Sequence, residues 1–440
     1  MAWIRHGEGM VGLGRFAEVE VAGPADADAW WSRFVTALEH RCEVAGAAGV
    51  GPVAFGSFTF DPGHTGAVSR LVVPRVIIGR RQGQAWLTTI GDDPLVDAPS
   101  LVELVETPTP PPVELVEPPA PPPVELVETP TPLVELVETP APLVELVETP
   151  DGVQIVPASP ATVLPPRDVE VASDPVAEDQ WRRRVAEAVH RIESNGLEKV
   201  VLARRVTATA SEPIDVRHLV TTLAEGYPSC WTFSVDGLVG ASPEMLVRRE
   251  RGLATSRVLA GTIRRSGSEE TDLKLAGALA RSSKNLAEHE LAVASVAEAL
   301  APLCSGMNVP ESPYVLELPN VLHLATDVTA VAHKKASSLR LAAALHPSAA
   351  VCGTPTAVAR AAIAELEGLD RGRYSGPVGW IDSRGDGEWA IALRCGMVDA
   401  ADPRRIDLFA GCGIVEGSDP DEELAETKAK LVPMLGALLG

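Results

Sequence analysis

Acidic and basic side chains near the C-terminus of the chain have a spacing suited to binding an anion and a metal ion. In a helix predicted over residues 421–438, Glu423, Glu426 and Lys430 fall within one narrow stripe at 100° per residue, and a separate stripe of leucines faces a core. Two carboxylates and an ammonium group therefore point away from the buried side. An exposed helix with ordinary salt bridges explains the same pattern equally well.

Two segments before this helix are predicted as strands that position further groups. Residues 408–415 form an apolar run with two glycines, one of them Gly413, which let a ligand approach the backbone closely. Residues 388–394 alternate so that Glu388 and Arg394 share one face. An arginine, a glycine-containing strand and a carboxylate-bearing helix in succession indicate a site for an anionic ligand and a divalent cation.

Two more polar residues lie at the ends of predicted strands. Lys199 opens an apolar strand over residues 199–206. A lysine in this position more often extends its charge to solvent from a sheet edge, but a desolvated lysine has a lowered pKa and acts as a base. Glu244 follows a strand end, beside glycine and proline, in Gly240-Ala-Ser-Pro-Glu244.

The elements that must position these residues include both helices and strands. Periodicity predicts helices over residues 175–195 and 269–303, and strands over residues 71–78 and 84–90. Because strands and helices follow each other in no strict βαβ order, we expect an α+β architecture.

Composition excludes several classes of function. The chain has 440 residues, 45% of them hydrophobic, and a net charge of −22, which argues against binding nucleic acid or an anionic membrane surface. There is neither an apolar run long enough to span a membrane nor an N-terminal signal sequence, so we expect a cytoplasmic protein. The six cysteines have no paired spacing, which predicts buried thiols rather than disulfides or a zinc site.

The domain organisation is predicted from a change in composition. Residues 1–98 are typical of an N-terminal α/β portion of the same fold, and residues 175–440 carry the polar groups described above. Residues 99–174 form an acidic, proline-rich repeat insertion and linker. Within it, residues 101–150 contain Val-Glu-Leu-Val-Glu five times, with ten glutamates and no lysine or arginine. Regular prolines and self-repulsion favour a disordered, solvated tether. A docking tract for a partner is the less favoured alternative.

Nine short motifs link these observations to a known family. They are Glu198-Lys-Val-Val-Leu-Ala-Arg204, Gly240-Ala-Ser-Pro-Glu244, Leu259-Ala-Gly-Thr262, Glu288-His-Glu-Leu291, His323-Leu-Ala-Thr326, Tyr374-Ser-Gly376, Gly387-Glu-Trp389, Ala410-Gly-Cys-Gly-Ile-Val415 and Glu426-Thr-Lys-Ala-Lys-Leu431. In this order they resemble the chorismate-utilising enzymes, most closely the isochorismate synthase branch. The resemblance covers about residues 160–440 and extends weakly over residues 1–98.

The resemblance implies a fold, a substrate and a reaction. The fold is the α+β chorismate-utilising enzyme fold, with a large layered β-sheet core flanked by helices, and residues 175–440 would be its chorismate-binding catalytic domain. The reaction is the Mg²⁺-dependent conversion of chorismate to isochorismate. Lys199 matches the general base that activates water for attack at ring atom C2, and Glu244 matches the general acid that protonates the departing C4 hydroxyl group.

The resemblance also implies the binding residues. The residues that match magnesium ligands are Glu288 and Glu426, with Glu423 beside them. The residues that match substrate-binding positions are Thr262, His323, Tyr374, Arg394, Gly413 and Lys430.

Some alternatives stay open. Within the family, Lys199 favours water over ammonia as nucleophile, which disfavours the aminating relatives, whereas a salicylate synthase would keep this lysine and go on to eliminate pyruvate. Outside it, the chain could be a non-catalytic scaffold that uses its acidic repeat to bind a partner. We expect a monomer whose only partner is chorismate, and the residues do not choose between menaquinone and siderophore synthesis.

Overall fold

The computed structural model describes residues 1–40, 44, 47–91, 144–149, 152–157, 163–172, 174–194, 196–317 and 321–440. Within these ranges, the side chains of Thr262, Lys284, Glu288 and residues 144–157 lie outside the description. The chain divides into two units, one of residues 1–95 with 164–440 and one of residues 96–163.

Most of the predicted insertion lies outside the described residues, so its disorder stays a prediction. Its last Val-Glu-Leu-Val-Glu repeat belongs to a strand, Val144–Thr149, which pairs antiparallel with Gly152–Pro157.

The described residues form strands and helices with the following bounds. The strands are β1 Ala2–Arg5, β2 Glu8–Leu13, β3 Ala17–Val21, β4 Val53–Ser57, β5 Ser69–Val73, β6 Val76–Arg81, β7 Gln84–Thr89, β8 Val144–Thr149, β9 Gly152–Pro157, β10 Glu170–Val171, β11 Lys199–Thr209, β12 Trp231–Val235, β13 Leu238–Ser242, β14 Met245–Glu250, β15 Leu253–Arg264, β16 Cys304–Asn308, β17 Tyr314–Glu317, β18 Val321–Ala332, β19 Gly353–Thr354, β20 Pro377–Asp382, β21 Gly387–Ile391, β22 Cys395–Val398 and β23 Arg405–Ile414. The helices are α1 Pro24–Ala37, α2 Pro175–Ser194, α3 Val216–Gly226, α4 Glu269–Leu279, α5 Ser283–Leu300, α6 Ser338–Leu345, α7 Thr356–Leu366 and α8 Pro420–Leu439.

Two large sheets form the centre of the first unit. One has the strand order β10-β11-β23-β22-β13-β12-β1-β2-β6-β7, with β19 also paired to β11. The other has the order β16-β18-β15-β14-β21-β20-β4-β5-β3, with β17 also paired to β18. The single strand predicted over residues 71–78 is wrong. Pro74, which has no N–H to donate, separates β5 from β6, and these two strands belong to different sheets.

Apolar side chains from both sheets meet in one buried cluster. Phe233 of β12 belongs to it, together with Phe55 of β4 and Trp380 of β20. A second cluster joins α3 and α8 to the other face of the first sheet, through Leu223, Leu431 and the strand residues around them. The layered sheets with helices on their faces confirm the predicted α+β fold.

The long helix predicted over residues 269–303 is wrong, because the chain folds there into two helices. Ser282 interrupts the run: its hydroxyl oxygen accepts from the backbone N–H of Asn285 at 3.4 Å and caps α5. The helix predicted at the C-terminus is α8, where the Asp419 carboxylate accepts from the N–H groups of Asp421 and Glu422. This cap fixes the start of the helix that carries Glu423, Glu426 and Lys430.

Two predictions from composition have a structural counterpart. The five cysteines in the described ranges are buried free thiols, as predicted, and Cys42 lies outside those ranges. No helix in the described part of the chain combines the length and the apolar character needed to cross a bilayer.

Candidate active site

Lys199 opens β11 and lies against the glycine-containing strand β23. Its backbone pairs with Thr354 of β19, while Val201, two residues on, pairs with Gly413 of β23. A Cβ atom placed on Gly413 would lie 2.8 Å from Cε of Lys199 and 3.5 Å from its Nζ. Glycine at position 413 therefore leaves the space that the lysine side chain occupies, a second use beside the predicted contact with substrate.

Glu244 lies between β13 and β14 and is held by its backbone. Its carbonyl oxygen accepts from Ile391 N–H at 3.0 Å, and its own N–H donates to the Ser242 hydroxyl at 3.2 Å. That hydroxyl donates in turn to the Ile391 carbonyl at 2.6 Å. These three bonds fix the point at which the carboxyl group leaves the sheet.

The surroundings of Glu244 give it an unusual acidity. Burial raises its pKa to about 7, although the positive charges of Lys199, Arg394 and Lys430 act in the opposite direction. Charges act on the carboxyl group in this way only from nearby, so the structure brings these four predicted residues together.

Arg394 does not lie on the strand predicted over residues 388–394. β21 ends at Ile391, and Arg394 follows in a left-handed conformation with φ 48°. The shared face predicted for Glu388 and Arg394 is therefore wrong. Glu388 accepts from Trp3 Nε1 at 2.8 Å and from Arg81 Nη2 at 3.1 Å, which ties β21 to the N-terminal strands.

The close packing around Arg394 explains a glycine of the Gly240-Ala-Ser-Pro-Glu244 motif. The Arg394 carbonyl oxygen accepts from Ala241 N–H at 3.2 Å, and a Cβ atom on Gly240 would lie 2.6 Å from that same oxygen. Burial lowers the pKa of the Arg394 guanidinium, while the carboxylates of Glu426 and Glu244 act to raise it.

Tyr374 presents a neutral hydroxyl group near the glycines of β23. Its ring stacks on Phe409 with centroids 5.2 Å apart, and a Cβ atom on Gly411 would lie 3.2 Å from the Tyr374 hydroxyl oxygen. Burial raises the pKa of the phenol, so it stays a hydrogen-bond donor at neutral pH.

Lys430 and Glu426 form an ion pair on α8 beside β23. Lys430 Nζ lies 2.6 Å from Oε1 of Glu426 and donates to the Gly411 carbonyl oxygen at 2.8 Å. Burial acts to raise the pKa of Glu426, but Lys430, Arg394 and His323 outweigh it and the pKa falls below its usual value. Glu426 is therefore a carboxylate at neutral pH.

Glu423 lies one turn before Glu426 on the same helix. The Ser418 hydroxyl donates to Oε1 of Glu423 at 2.8 Å, while burial, together with the charge of Glu426, raises the pKa of Glu423. Two acidic groups one turn apart on one helix face repel each other, and a cation between them would relieve this repulsion.

His323 lies on β18 opposite Thr262 of β15, beside a bulge at Gly261. Burial and the charges of Arg394 and Lys430 lower the pKa of His323 to about 4, so its imidazole is neutral at physiological pH. The side chains of Thr262 and Glu288 lie outside the described residues. The backbone of Thr262 faces His323, and that of Glu288 belongs to α5.

Comparison with known proteins identifies the family of the chain. The family described as chorismate binding enzyme matches residues 149–439, more than half of the chain. The chain belongs to the chorismate-binding enzyme family.

The curated relatives include two from Bacillus subtilis. Isochorismate synthase MenF is 37% identical over 276 residues, which cover 62% of this chain and 58% of that relative. Isochorismate synthase DhbC is 40% identical over 277 residues, which cover 60% of this chain and 69% of the relative. The chain therefore spans less than two thirds of the MenF relative.

Among solved structures, the menaquinone-specific isochorismate synthase MenF of Escherichia coli superposes with a TM-score of 0.70. The match has 23% identity and covers 99% of this chain and 88% of that one. At this identity the likeness shows the fold, and it agrees with the expected chorismate-utilising architecture.

Sequence reasoning missed the residues that hold the family's site in place. The Ser242 hydroxyl accepts from the N–H of Glu244, and the Ser418 hydroxyl donates to the carboxylate of Glu423. A buried ion pair of Glu367 and Arg371 lies behind β11. A serine two residues before Glu244 was a usable signal, because serine at a strand end often bonds to nearby backbone. No sequence pattern distinguishes the ion pair of Glu367 and Arg371 from an exposed one, because its importance depends on burial.

Proposed function

We propose that this protein is an isochorismate synthase that converts chorismate to isochorismate. The observation that carries the proposal is Glu244, whose carboxyl group has a pKa of about 7 close to Lys199, Arg394 and Lys430. A carboxyl group with this pKa is substantially protonated at neutral pH and is able to donate a proton. The names of the Bacillus subtilis relatives support the same activity.

The proposed reaction exchanges one hydroxyl group of the ring for another. Lys199 acts as the base that takes a proton from water while the water oxygen bonds to C2. The two ring double bonds each shift by one position, and the C4–O bond breaks. Glu244 supplies the proton with which the C4 hydroxyl leaves as water, because hydroxide is a poor leaving group. Proton exchange with solvent then restores both side chains.

Chorismate is a dianion, and the site offers it both charged and neutral groups. Arg394 and Lys430 are cations that we assign to the substrate carboxylates. Tyr374 contributes a neutral hydroxyl donor, and neutral His323 lines the pocket without adding a further charge.

The acidic residues of α8 fit the divalent cation implied by the family. Glu423 and Glu426 provide carboxylate oxygens, the donors that Mg²⁺ prefers, and Glu288 on α5 would be the third ligand. When bound, the ion would neutralise and hold a substrate carboxylate. Lys430 keeps Glu426 ionised and therefore ready to bind a cation.

The test is an assay of the purified full-length chain with chorismate, in Mg²⁺ or in excess EDTA, with products separated by chromatography. We expect isochorismate alone, formed only with the metal. Salicylate with pyruvate would favour a salicylate synthase instead, and the absence of turnover would overturn the proposal.

We further propose that the protein acts as a cytoplasmic monomer. The Escherichia coli MenF of known structure is menaquinone-specific by name, whereas a relative from Vibrio cholerae is named as vibriobactin-specific. Growth of a deletion strain with and without iron, compared with its menaquinone content, would assign the pathway. Size-exclusion chromatography with light scattering would give the oligomeric state.

A further inference from the structure

The residues after α7 contain an ion pair that is almost completely buried. The side chains of Glu367 and Arg371 are 2% and 3% exposed. Arg371 Nε lies 2.9 Å from Oε2 and 3.1 Å from Oε1 of Glu367, and the guanidinium carbon lies 4.2 Å from the centroid of the Phe60 ring. Burying two charges in this way costs desolvation energy, and apolar residues of similar size often give equal or greater stability. The pair therefore calls for a role beyond stability.

This pair lies along the edge of β11 between two short partner strands, β19 at the start of β11 and β10 at its end. On one edge, β11 pairs with β23 over residues 200–209. On the other edge, β19 pairs only with residues 199–200, and Val201 N–H donates to the Cys352 carbonyl oxygen at 2.9 Å.

At the next positions of that edge the ion pair supplies the partners. Arg371 Nη2 donates to the Val201 carbonyl oxygen at 2.6 Å, and Ala203 N–H donates to Oε1 of Glu367 at 2.7 Å. The backbone is thus fixed two and four residues after Lys199.

The same arginine reaches two other segments of the site. Its Nη1 donates to the Val351 carbonyl oxygen at 2.9 Å, just before the residues that pair with Lys199, and to Ser375 Oγ at 3.2 Å. The Arg371 carbonyl oxygen accepts from the N–H of Tyr374 at 2.9 Å. One guanidinium therefore joins β11, the segment just before β19 and the turn that carries Tyr374 and Ser375.

We propose that the Glu367–Arg371 pair is a positioning unit that holds Lys199 at the distance from the substrate ring that water activation requires. Neither residue needs to touch substrate. The role as base positioner rests on the proposed function, whereas the effect on the placement of Lys199 does not.

The experiment uses the full-length chain with two variants of the pair. The double variant Glu367→Gln/Arg371→Met removes both charges together, so no uncompensated charge stays buried, while the glutamine still accepts from Ala203 N–H. The single variant Arg371→Lys keeps the charge but cannot reach Val201 and Val351 at once. The matched control is Arg249→Met/Asp386→Asn, which removes another buried ion pair, with side chains 11% and 4% exposed. Arg249 lies on β14, and Asp386 lies in the turn before β21.

Two measurements are made on each folded variant. For turnover of chorismate, we expect kcat and kcat/KM to fall together by about 10- to 100-fold in both variants of the pair. A small displacement of a catalytic group is enough to cause a loss of this size. Without substrate, the rate at which an amine-acylating reagent labels Lys199, followed by mass spectrometry, should change in the same variants. The control should keep wild-type values in both measurements even if its thermal stability falls.

The outcomes separate this proposal from the proposed function. Wild-type labelling rates in both variants of the pair would overturn it, as would losses no larger than those of the control. If the wild-type chain makes no isochorismate, the proposed function fails and the labelling rates alone decide. A change confined to the variants of the pair would then still support the positioning of Lys199.

Discussion

The two ends of strand β13 carry carboxyl groups with opposite electrostatic surroundings. Asp236, in the turn before the strand, accepts from Arg373 Nη2 at 2.8 Å, from Arg15 Nη2 at 2.6 Å and from Arg70 Nη1 at 3.2 Å. Burial acts to raise its pKa, but these arginines outweigh it and the pKa falls below its usual range. Glu244, just beyond the other end, forms no ion pair with any side chain that the structure describes, and burial raises its pKa to about 7.

The difference shows how one strand serves two purposes. The ionised Asp236 ties the turn to Arg70 of β5 and to Arg373, and so joins one sheet to the other. Among the described side chains no cation forms an ion pair with Glu244, and burial raises its pKa although Lys199, Arg394 and Lys430 act to lower it. Asp236 is therefore paired and joins the sheets, whereas Glu244, the proton donor of the proposed reaction, has the raised pKa that such a role requires.

The largest loss of activity is expected from substitution of Lys199, the base of the proposed reaction. Lys199→Ala should lower kcat for isochorismate formation by about 10²- to 10⁴-fold, because no other group takes the proton from water. Binding of chorismate should persist, since Arg394 and Lys430 are unchanged. Turnover and calorimetric binding check this, with Lys428→Ala, at a lysine paired to Glu178 on the surface, as control. Turnover close to that of the wild type would refute the assignment of the base.

Glu244→Gln should lower kcat by about 10²-fold or more, because an amide does not protonate the leaving hydroxyl group. In the wild type, kcat should fall as the pH rises above about 7, since the acid loses its proton there. A pH profile that is flat between 6 and 9 would contradict this role.

The same substitution should have the opposite effect on stability. Because the pKa of Glu244 is raised in the folded state, the wild type loses stability as the pH rises from the ordinary range of glutamate to about 7. Glu244→Gln avoids this loss, so its free energy of unfolding should exceed that of the wild type by about 3 kcal/mol at pH 8 and by much less at pH 4.5. Denaturant titrations at the two pH values make the comparison.

Glu426→Gln should raise the Mg²⁺ concentration needed for half-maximal activity by about 10-fold or more, because a neutral amide oxygen binds the ion less well than a carboxylate. Metal titrations of the wild type and the variant measure this change. An unaltered requirement for Mg²⁺ would mean that α8 does not hold the ion.

Asp236→Asn tests the structural end of β13. The substitution leaves Arg373 and its neighbours without their shared carboxylate, and the free energy of unfolding should fall by about 2 to 4 kcal/mol at neutral pH. Since the pKa of Asp236 is lowered in the folded state, the difference from the wild type should shrink as the pH falls through that pKa. At neutral pH the folded variant should keep its kcat. A large loss of kcat without loss of stability would contradict the structural role assigned to Asp236.

The smallest effect is expected outside the two sheets. Deletion of residues 101–150 should leave kcat near that of the intact chain, because loops tolerate large changes of length at a modest entropic cost. Chorismate turnover by the deletion variant checks this. A folded but inactive product would show that the repeat tract takes part in function.

The sequence by itself determined the family and the elements with strong periodicity or short motifs. Helix α8 agrees closely with its prediction, because its acidic cap and its leucine stripe are local features. The site residues Lys199 and Glu244 were named from their motifs, and the structure places them near each other. For Glu288 and Thr262 the sequence still carries the whole argument, since their side chains lie outside the described residues.

Only the tertiary structure decided how these residues are held and charged. Alternation of residue types does not encode the left-handed backbone of Arg394 or the change of sheet at Pro74, which depend on neighbours distant in sequence. The break at Ser282 depends on a single hydrogen bond. The raised pKa of Glu244 is a property of burial, and the role proposed for Glu367 and Arg371 follows from their bonds to the edge of β11 between β19 and β10. Periodicity records which face of a segment is apolar, but desolvation and the pairing of charges arise only when segments far apart in the chain are packed together.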